Sequence, residues 1–300
     1  MSEDILLVEE RGGIATVTLN RPDSMNALSQ ALRHRIAETF ARLGREGSAK
    51  VVILTGKGRA FCAGIDLREL GSGATRVGAP RDPAYDPTSA MAAFPGPVIG
   101  AINRAAITGG FELALACDLL VASPEARFAD THGRVGVHPA WGLSQKLSRL
   151  IGLNRAKELS LTGNFLDAAT AERWGLVNRV VPGDALLATC QKLAEDMLSL
   201  DPAMLISYKQ LIDEGFGMPF AEAMRHEAQV AQARNSALTP EALEARRAAV
   251  IARGRSQSGA LRSGVRPRGL TRGVLSSVPS EAPVRCVRLY RVPARTGVCR

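Results

Sequence analysis

Short, uninterrupted runs of apolar residues constrain the fold of this 300-residue chain more than any other feature. Val51–Thr55, Pro97–Asn103 and Leu119–Ala122 are such runs, and Ile14–Leu19 is a further β-rich segment. A strand that is apolar at nearly every position is typical of a sheet covered on both faces. The sequence therefore predicts a buried sheet in the first half of the chain.

A helix is predicted between the first two strands, over Ser29–Leu43. Leu32, Ile36, Phe40 and Leu43 recur there at the spacing of one helix face. Strands that alternate with helices indicate an α/β fold with largely parallel pairing. Residues 71–89, rich in Gly, Pro, Ser and Asp, are left as a long loop that serves as a binding loop or as a surface insertion.

The second half of the chain is predicted to be helical, with Asp201 and Thr239 as N-caps of helices that begin with proline. The candidate helices are Leu143–Leu150, Asn154–Thr162, Ala168–Trp174, Ala185–Leu200, Pro202–Glu214, Pro219–Asn235 and Pro240–Arg253. After Gln257 the helical period ends, and residues 258–300 are predicted to be a disordered basic tail.

The charge distribution and the spacing of the cysteines exclude some classes of function. The net charge is +9, but nine arginines and one glutamate in residues 258–300 supply +8 of it, so the rest of the chain is close to neutral. This argues against nucleic-acid binding except through the tail. No uncharged apolar run reaches the ~20 residues of a membrane helix. The start of the chain is acidic where a signal peptide would be basic. The five cysteines form no CxxC pair, so their thiols are expected to be reduced. We therefore expect a cytoplasmic protein without a metal site.

Two glycine-containing segments are the candidate site. Gly56–Asp66 follows the strand that begins at Val51, and Asn103–Glu112 follows the strand that begins at Pro97. Neither contains the GK[ST] of a Walker loop or a GxGxxG. Small-residue turns before helices expose backbone N–H groups, and two such turns facing one pocket would form an oxyanion hole. Glycine turns before helices are common, and on the residues alone structural turns with no catalytic role are the favoured interpretation.

At these segments the sequence resembles the crotonase superfamily, the enoyl-CoA hydratase/isomerase family. The resemblance rests on Arg21–Leu28, Arg59–Leu67, Gly109–Ala114 and Cys117-Asp118, and it continues through Leu161–Gly163. It covers about residues 5–255 and leaves the tail outside. It implies a crotonase-like spiral of ββα units with a helical C-terminal region that oligomerises as a homotrimer or hexamer. With it we divide the chain into a core (1–200), a helical region (201–257) and the tail (258–300).

The resemblance also implies the chemistry and the site. The substrate would be an acyl-CoA thioester, and no cofactor is implied because coenzyme A is part of the substrate. The N–H groups of Ile65 and Gly109 would hold the thioester oxygen as it becomes an enolate, and Glu112 would be an acid/base. The CoA channel would be lined by Asn26, Ala27, Leu28, Arg59, Ala60, Phe61, Ala63 and Asp66. The loop over residues 71–89 would lie beside the acyl chain.

One position departs from the family pattern. Typical hydratases use two glutamates, and at the second of them this chain has His132, with Asp130 two residues earlier. In an extended segment these two side chains would point to the same side. Either His132 or Asp130 replaces the missing carboxylate, since imidazole can donate a proton near neutral pH, or ordinary two-carboxylate hydration is lost.

The sequence thus predicts a hydratase-like lyase and leaves two alternatives open. One is another enolate reaction at the same oxyanion hole, such as isomerisation or decarboxylation. The other is a protein that binds CoA esters, or RNA through its arginine tail, without catalysis.

Overall fold

The computed structural model describes residues 4–72, 82–236 and 238–263. The chain divides into two compact units, with the boundary between Arg234 and Asn235. The first unit holds both sheets and eleven of the twelve helices found in the described residues, the last of these ending at Asn235.

The elements are numbered in chain order. The strands are β1 (Leu6–Arg11), β2 (Ile14–Leu19), β3 (Val51–Gly56), β4 (Ala60–Cys62), β5 (Val98–Ile102), β6 (Ala105–Ile107), β7 (Leu119–Ala122), β8 (Arg127–Ala129), β9 (Leu166–Asp167) and β10 (Arg179–Val180). The helices are α1 (Gln30–Glu46), α2 (Leu67–Gly71), α3 (Pro87–Ala93), α4 (Gly109–Leu115), α5 (His132–Val135), α6 (Leu143–Ile151), α7 (Leu153–Thr162), α8 (Ala168–Arg173), α9 (Leu186–Leu198), α10 (Pro202–Phe216), α11 (Phe220–Asn235) and α12 (Pro240–Ser263).

Six strands form the main sheet in the order β1-β2-β3-β5-β7-β10. Only the β1–β2 pair within it is antiparallel, because a two-residue turn at Gly12-Gly13 joins these strands directly. Along β3 the side chains alternate between two apolar clusters: Val52 and Leu54 lie in one, and Val51 and Ile53 in the other. The predicted sheet with both faces covered is therefore confirmed.

Helices cover the two faces of this sheet. α1 packs Leu32, Ile36 and Phe40 into the cluster on one face, at the spacing that predicted the helix. Ser29 is its N-cap, and its side chain accepts a hydrogen bond from the Leu32 N–H. α9 covers the opposite face, where α10 adds Leu205.

A second sheet has four strands, in the order β4-β6-β8-β9. The chain runs β3–β4–α2, then β5–β6–α4, then β7–β8–α5, so the same ββα unit occurs three times. In each unit a strand of three residues stands between the main-sheet strand and the helix. The repeated unit confirms the predicted crotonase-like fold.

Other boundaries differ from the prediction for local reasons. In the loop predicted over residues 71–89, α2 extends to Gly71 and α3 begins at Pro87, with Asp86 as N-cap. Residues 73–81 lie outside the described residues. α12 continues to Ser263, so the backbone is helical for six residues past the start of the predicted tail, and the rest of the tail lies outside the described part.

The division between the two units does not fall at the boundary predicted between residues 200 and 201. Leu205 of α10 is buried in the core of the first unit. Lys209 of the same helix pairs with Asp118 at a distance of 2.8 Å between Nζ and Oδ1. α10 is thereby anchored to the sheet that precedes it in the chain.

Candidate active site

Two backbone amides converge where β4 and β6 lead into their helices. Ile65 pairs with Leu28 in an isolated parallel bridge. The Leu28 N–H donates to the Gly64 carbonyl (2.7 Å), and the Asp66 N–H donates to the Leu28 carbonyl (3.3 Å). In a parallel bridge of this kind the intervening residue turns its own N–H away from the partner. The Ile65 N–H therefore faces the turn that contains Gly109.

Glycines allow the two turns to approach backbone to backbone. A Cβ on Gly109 would lie 3.5 Å from the Ile65 nitrogen, and one on Gly110 would lie 2.1 Å from the Cys62 carbonyl oxygen. Gly64 has φ +93°, which few other residues adopt, and a Cβ there would lie 2.9 Å from the Ile107 oxygen.

Neither the Ile65 N–H nor the Gly109 N–H has an acceptor within residues 4–72, 82–236 and 238–263. Gly109 is the first residue of α4, so its N–H has no intrahelical partner. Two backbone donors without an acceptor therefore lie close together, and an oxyanion hole needs such a pair. The two predicted donors thus lie together.

Glu112, in the first turn of α4, has a buried carboxylate fixed by backbone donors. Its Oε1 accepts hydrogen bonds from the N–H groups of Trp141 (2.6 Å) and Leu143 (3.4 Å). The other oxygen, Oε2, lies 3.4 Å from Nε2 of His132. One face of the carboxylate is therefore anchored and the other is directed at the imidazole.

His132 lies between two carboxylates. Its Nδ1 is 2.7 Å from Oδ1 of Asp130, and its Nε2 faces Glu112. Burial lowers the pKa of His132, but the hydrogen bonds and negative charges of Asp130 and Glu112 outweigh this effect and raise the pKa to about 9. The imidazole is therefore protonated on both nitrogens at neutral pH.

Asp130 supports the imidazole from the side away from Glu112. Burial raises its pKa, but hydrogen bonds from the side chains of His132 and Ser160 and from the His132 backbone lower it below the usual value. Since α5 begins at His132, the segment is not extended there, and the Asp130 carboxylate reaches back to Nδ1. Of the two predicted substitutes for the second glutamate, His132 is thus the one that contacts Glu112.

A cavity of about 220 Å³ opens beside these groups. Its lining is mostly apolar, and Arg33, Glu112 and His132 contribute the ionisable side chains. The lining side chains are Arg33, Ala63, Ile65, Leu67, Leu70, Thr108, Glu112, Thr131, His132, Val135, Val137, Ala140 and Trp141. Residues 82–89, the described end of the loop that was predicted to flank the acyl chain, do not contribute to this lining.

Of the eight predicted CoA-channel residues, Ala63 lines this cavity. Ala27 is half-buried and Arg59 is exposed. Leu28, Ala60 and Phe61 are buried in the apolar interior behind the site.

Asn26 and Asp66 have structural hydrogen-bonding roles. The amide nitrogen of buried Asn26 donates to the carbonyls of Lys57 (3.0 Å) and Ala60 (2.8 Å), and its oxygen accepts from the Arg21 N–H. Asp66 is the N-cap of α2 and pairs with Arg21 at 3.1 Å. Both residues hold the backbone around Ile65 in place.

Several cavity residues have no recognisable signal in the sequence. Thr108 and Thr131 each precede a predicted site residue, and their hydroxyl groups are hydrogen-bonded to each other. Trp141 contributes both its ring to the cavity and its N–H to Glu112. Thr108 reaches the site because its backbone conformation is unusual. Thr131 and Trp141 reach it because residues 131–143 fold back over α4.

Among the described residues, no group of three or more His, Cys, Asp or Glu side chains could hold a metal ion. Within the same residues, every helix is too short or too polar to cross a membrane.

The chain is similar in sequence to known proteins. The sequence profile described as enoyl-CoA hydratase/isomerase matches residues 9–245. A probable peroxisomal enoyl-CoA hydratase of Arabidopsis thaliana is 44% identical over 242 residues, which are 80% of this chain and 91% of the plant protein.

Solved structures show the same similarity. An enoyl-CoA hydratase of Mycobacterium tuberculosis is 43% identical, with a TM-score of 0.61, and the match covers 78% of this chain and 99% of that one. An enoyl-CoA hydratase of Bacillus anthracis is 33% identical, with a TM-score of 0.71 and coverage of 82% and 95%.

Proposed function

This chain belongs to the enoyl-CoA hydratase/isomerase family, and we propose that it adds water across the conjugated double bond of an enoyl-CoA thioester. The observation that carries this proposal is the contact between Glu112 and His132 beside two unpaired amides. Hydration needs a base for water, an acid for the α-carbon and a donor pair for the enolate oxygen. Ile65, Glu112 and His132 line one cavity, and Gly109 lies next to Ile65.

The amides of Ile65 and Gly109 hold the thioester oxygen. As water adds to the β-carbon, electrons move onto this oxygen and an enolate forms. Donors that are already oriented stabilise the developing charge without reorganisation, and one such donor contributes roughly 100- to 1000-fold in acyl chemistry.

Glu112 removes the proton from the attacking water. Its anchored Oε1 leaves Oε2 for this task, since Trp141 and Leu143 donate to Oε1. The water oxygen forms its bond to the β-carbon, and its proton passes to the carboxylate.

His132 delivers the second proton. A doubly protonated imidazole donates from Nε2 to the α-carbon as the enolate collapses. Protonated Glu112 then lies 3.4 Å from neutral Nε2 and can return the water proton to it, which restores both groups. The cycle consumes one water and moves only protons, so it needs no group beyond the CoA substrate.

The CoA moiety is proposed to lie along Ala27, Arg59 and Ala63, the predicted residues that reach the surface or the cavity. The guanidinium of Arg59 suits a phosphate. Asn26, Leu28, Ala60, Phe61 and Asp66 support the wall behind them.

We also propose an oligomeric state and a cellular compartment for the protein. Exposed apolar side chains on α10, including Ile212 and Phe216, favour the homotrimer or hexamer that the family resemblance implies. Cys62, Cys117 and Cys190 are free thiols, as expected in a reducing compartment such as the cytoplasm.

The test is a spectroscopic screen of the purified protein against enoyl-CoA thioesters of increasing chain length. We expect loss of conjugated-double-bond absorbance with at least one of them, and a hydroxyacyl-CoA product by mass spectrometry. Glu112→Gln keeps the shape but not the base, and its rate should fall roughly 100- to 10,000-fold. A double-bond shift without gain of water would replace the proposal by isomerisation, and full activity of Glu112→Gln would refute it.

A further inference from the structure

Thr108 has a backbone conformation that is unusual for a threonine. Its φ is +54° and its ψ is −112°, immediately before Gly109. Among the described residues, Met25 and Asn26 are the other non-glycine residues with positive φ, and neither is β-branched. A β-branched residue at positive φ is a genuine outlier, and such residues persist where their surroundings hold them.

Contacts to a single neighbouring segment hold Thr108 in this conformation. Its N–H donates to the Ala129 carbonyl at 2.8 Å. Its hydroxyl group is hydrogen-bonded to the hydroxyl of Thr131, and the Thr131 N–H approaches Thr108 Oγ1 at 3.3 Å. Both threonines also line the cavity.

Each of these residues is covalently joined to a group of the site. Rotation about ψ of Thr108 turns the Gly109 N–H, because that torsion sets the plane of the peptide that carries it. Thr131 precedes His132 and is the N-cap position of α5, where it makes no side-chain cap hydrogen bond. Its hydroxyl therefore serves the bond to Thr108 and not the helix.

We propose that Thr108 and Thr131 are positioning residues that hold the Gly109 donor and the His132 acid in register with each other. The inference rests on the proposed function and adds a physical link between the oxyanion hole and the acid–base pair. The hydroxyl pair keeps Thr108 at its strained torsions, and without it the peptide of Gly109 relaxes away from Ile65. Misplacement of a reacting group by about 1 Å can reduce a rate by roughly 100-fold.

The first test replaces each hydroxyl by a methyl group of similar size. Thr108→Val and Thr131→Val should each lower kcat by roughly 10- to 100-fold with little change in KM. The double variant should be no slower than the slower single variant, because both remove the same bond. Thr108→Ser keeps the hydroxyl and should recover most of the rate.

The control is Thr55→Val. Thr55 also donates a buried hydroxyl hydrogen bond, to the Ala101 carbonyl at 2.9 Å, but it lies in β3 outside the cavity lining. This variant should keep the wild-type kcat. Circular dichroism of every variant checks the fold. Unchanged kcat in both site valine variants, or additive losses in the double variant, would overturn the inference.

A second measurement does not depend on turnover. The infrared carbonyl band of a bound, isotope-labelled saturated acyl-CoA reports hydrogen bonds to the thioester oxygen. We expect a downshift in the wild type and in Thr108→Ser that is smaller in Thr108→Val and Thr131→Val. A wild type with the downshift but without hydration would refute the proposed reaction and leave the positioning role intact. An equal downshift in all variants, or none in the wild type, would refute the positioning role.

Discussion

At the scale of single residues, the site is defined by how each polar group is held. Asp130 contacts the imidazole of His132 on one side, and Glu112 contacts it on the other. A histidine in this position is a cation at neutral pH and an acid, whereas a lone imidazole would be mostly neutral. Under the proposed mechanism, the histidine that would replace the second glutamate is paired with a carboxylate of its own, and the reaction keeps one acid and one base.

The pH dependence of the rate follows from the pKa of His132. This pKa is raised from 6.5 to about 9, so the acid is present at neutral pH and is lost as the pH rises through about 9. We expect kcat to fall above that pH by about tenfold per pH unit, the slope for loss of one required proton. Stopped-flow measurements between pH 6 and 10 on one enoyl-CoA would show it.

Variants at this position separate chemistry from packing. His132→Gln keeps a hydrogen-bonding side chain without an ionisable proton, so its rate should be low and independent of pH in the same range. The charged imidazole also stabilises the fold. This stabilisation is complete below the pKa of the unfolded state, near 6.5, and is lost as the pH rises through about 9. A wild-type profile that stays flat to pH 10 would rule out His132 as the acid.

At the scale of elements, the ββα unit explains why the site forms where it does. In each unit the main-sheet strand is followed by a short strand of the second sheet. These short strands end one to three residues before Ile65, Thr108 and Thr131, which line the cavity. The backbone approach of α4 to β4 depends on Gly110, which has no room for a Cβ next to the Cys62 carbonyl oxygen. The proposed oxyanion hole would thus form where two of these ββα units pack together.

Gly110→Ala tests this packing. Its Cβ would lie 2.1 Å from the Cys62 oxygen, and backbone cannot move aside as a flexible side chain can. We expect the free energy of unfolding to fall by at least about 1–3 kcal/mol, as for overpacked cores, together with loss of turnover. Urea unfolding followed by circular dichroism measures it.

Gly44→Ala is the matched control. Gly44 lies within α1, and a Cβ there would meet Pro95 at an ordinary 3.8 Å. Stability should be unchanged or higher by up to about 1 kcal/mol, because alanine favours a helix over glycine. If Gly110→Ala were as stable as this control, the close approach of α4 to β4 would not limit the fold.

Elements with many periodic residues were predictable from the sequence, and the short ones were not. The spacing of Leu32, Ile36 and Phe40 predicted α1, and uniform apolarity predicted β3 and β5. The second sheet escaped prediction because strands of two or three residues show no alternation. For the site, the family resemblance supplied Ile65, Gly109, Glu112 and His132, whereas the Thr108–Thr131 pair depends on tertiary contacts that no local pattern encodes.

At the scale of the whole molecule, the residues of the site and the basic segment occupy different parts of the sequence. Every residue that lines the cavity lies between Arg33 and Trp141, and the buried core residues run from Leu6 to Leu205. The net charge arises almost wholly from the arginines of residues 258–300. The unit that holds the site is therefore nearly neutral.

Truncation distinguishes the parts of the chain that the active unit needs. A chain that ends at Ser263 keeps every helix of the described residues, so its kcat should stay within about twofold of the wild type. A chain that ends at Leu200 lacks Leu205, which fills the core, and Lys209, which pairs with Asp118. Loss of a buried leucine alone costs about 2–5 kcal/mol, so the shorter chain should unfold at lower temperature and lose activity. Calorimetry and the hydration assay compare the two, and a large loss of kcat in the chain that ends at Ser263 would show that residues 264–300 contribute to the site.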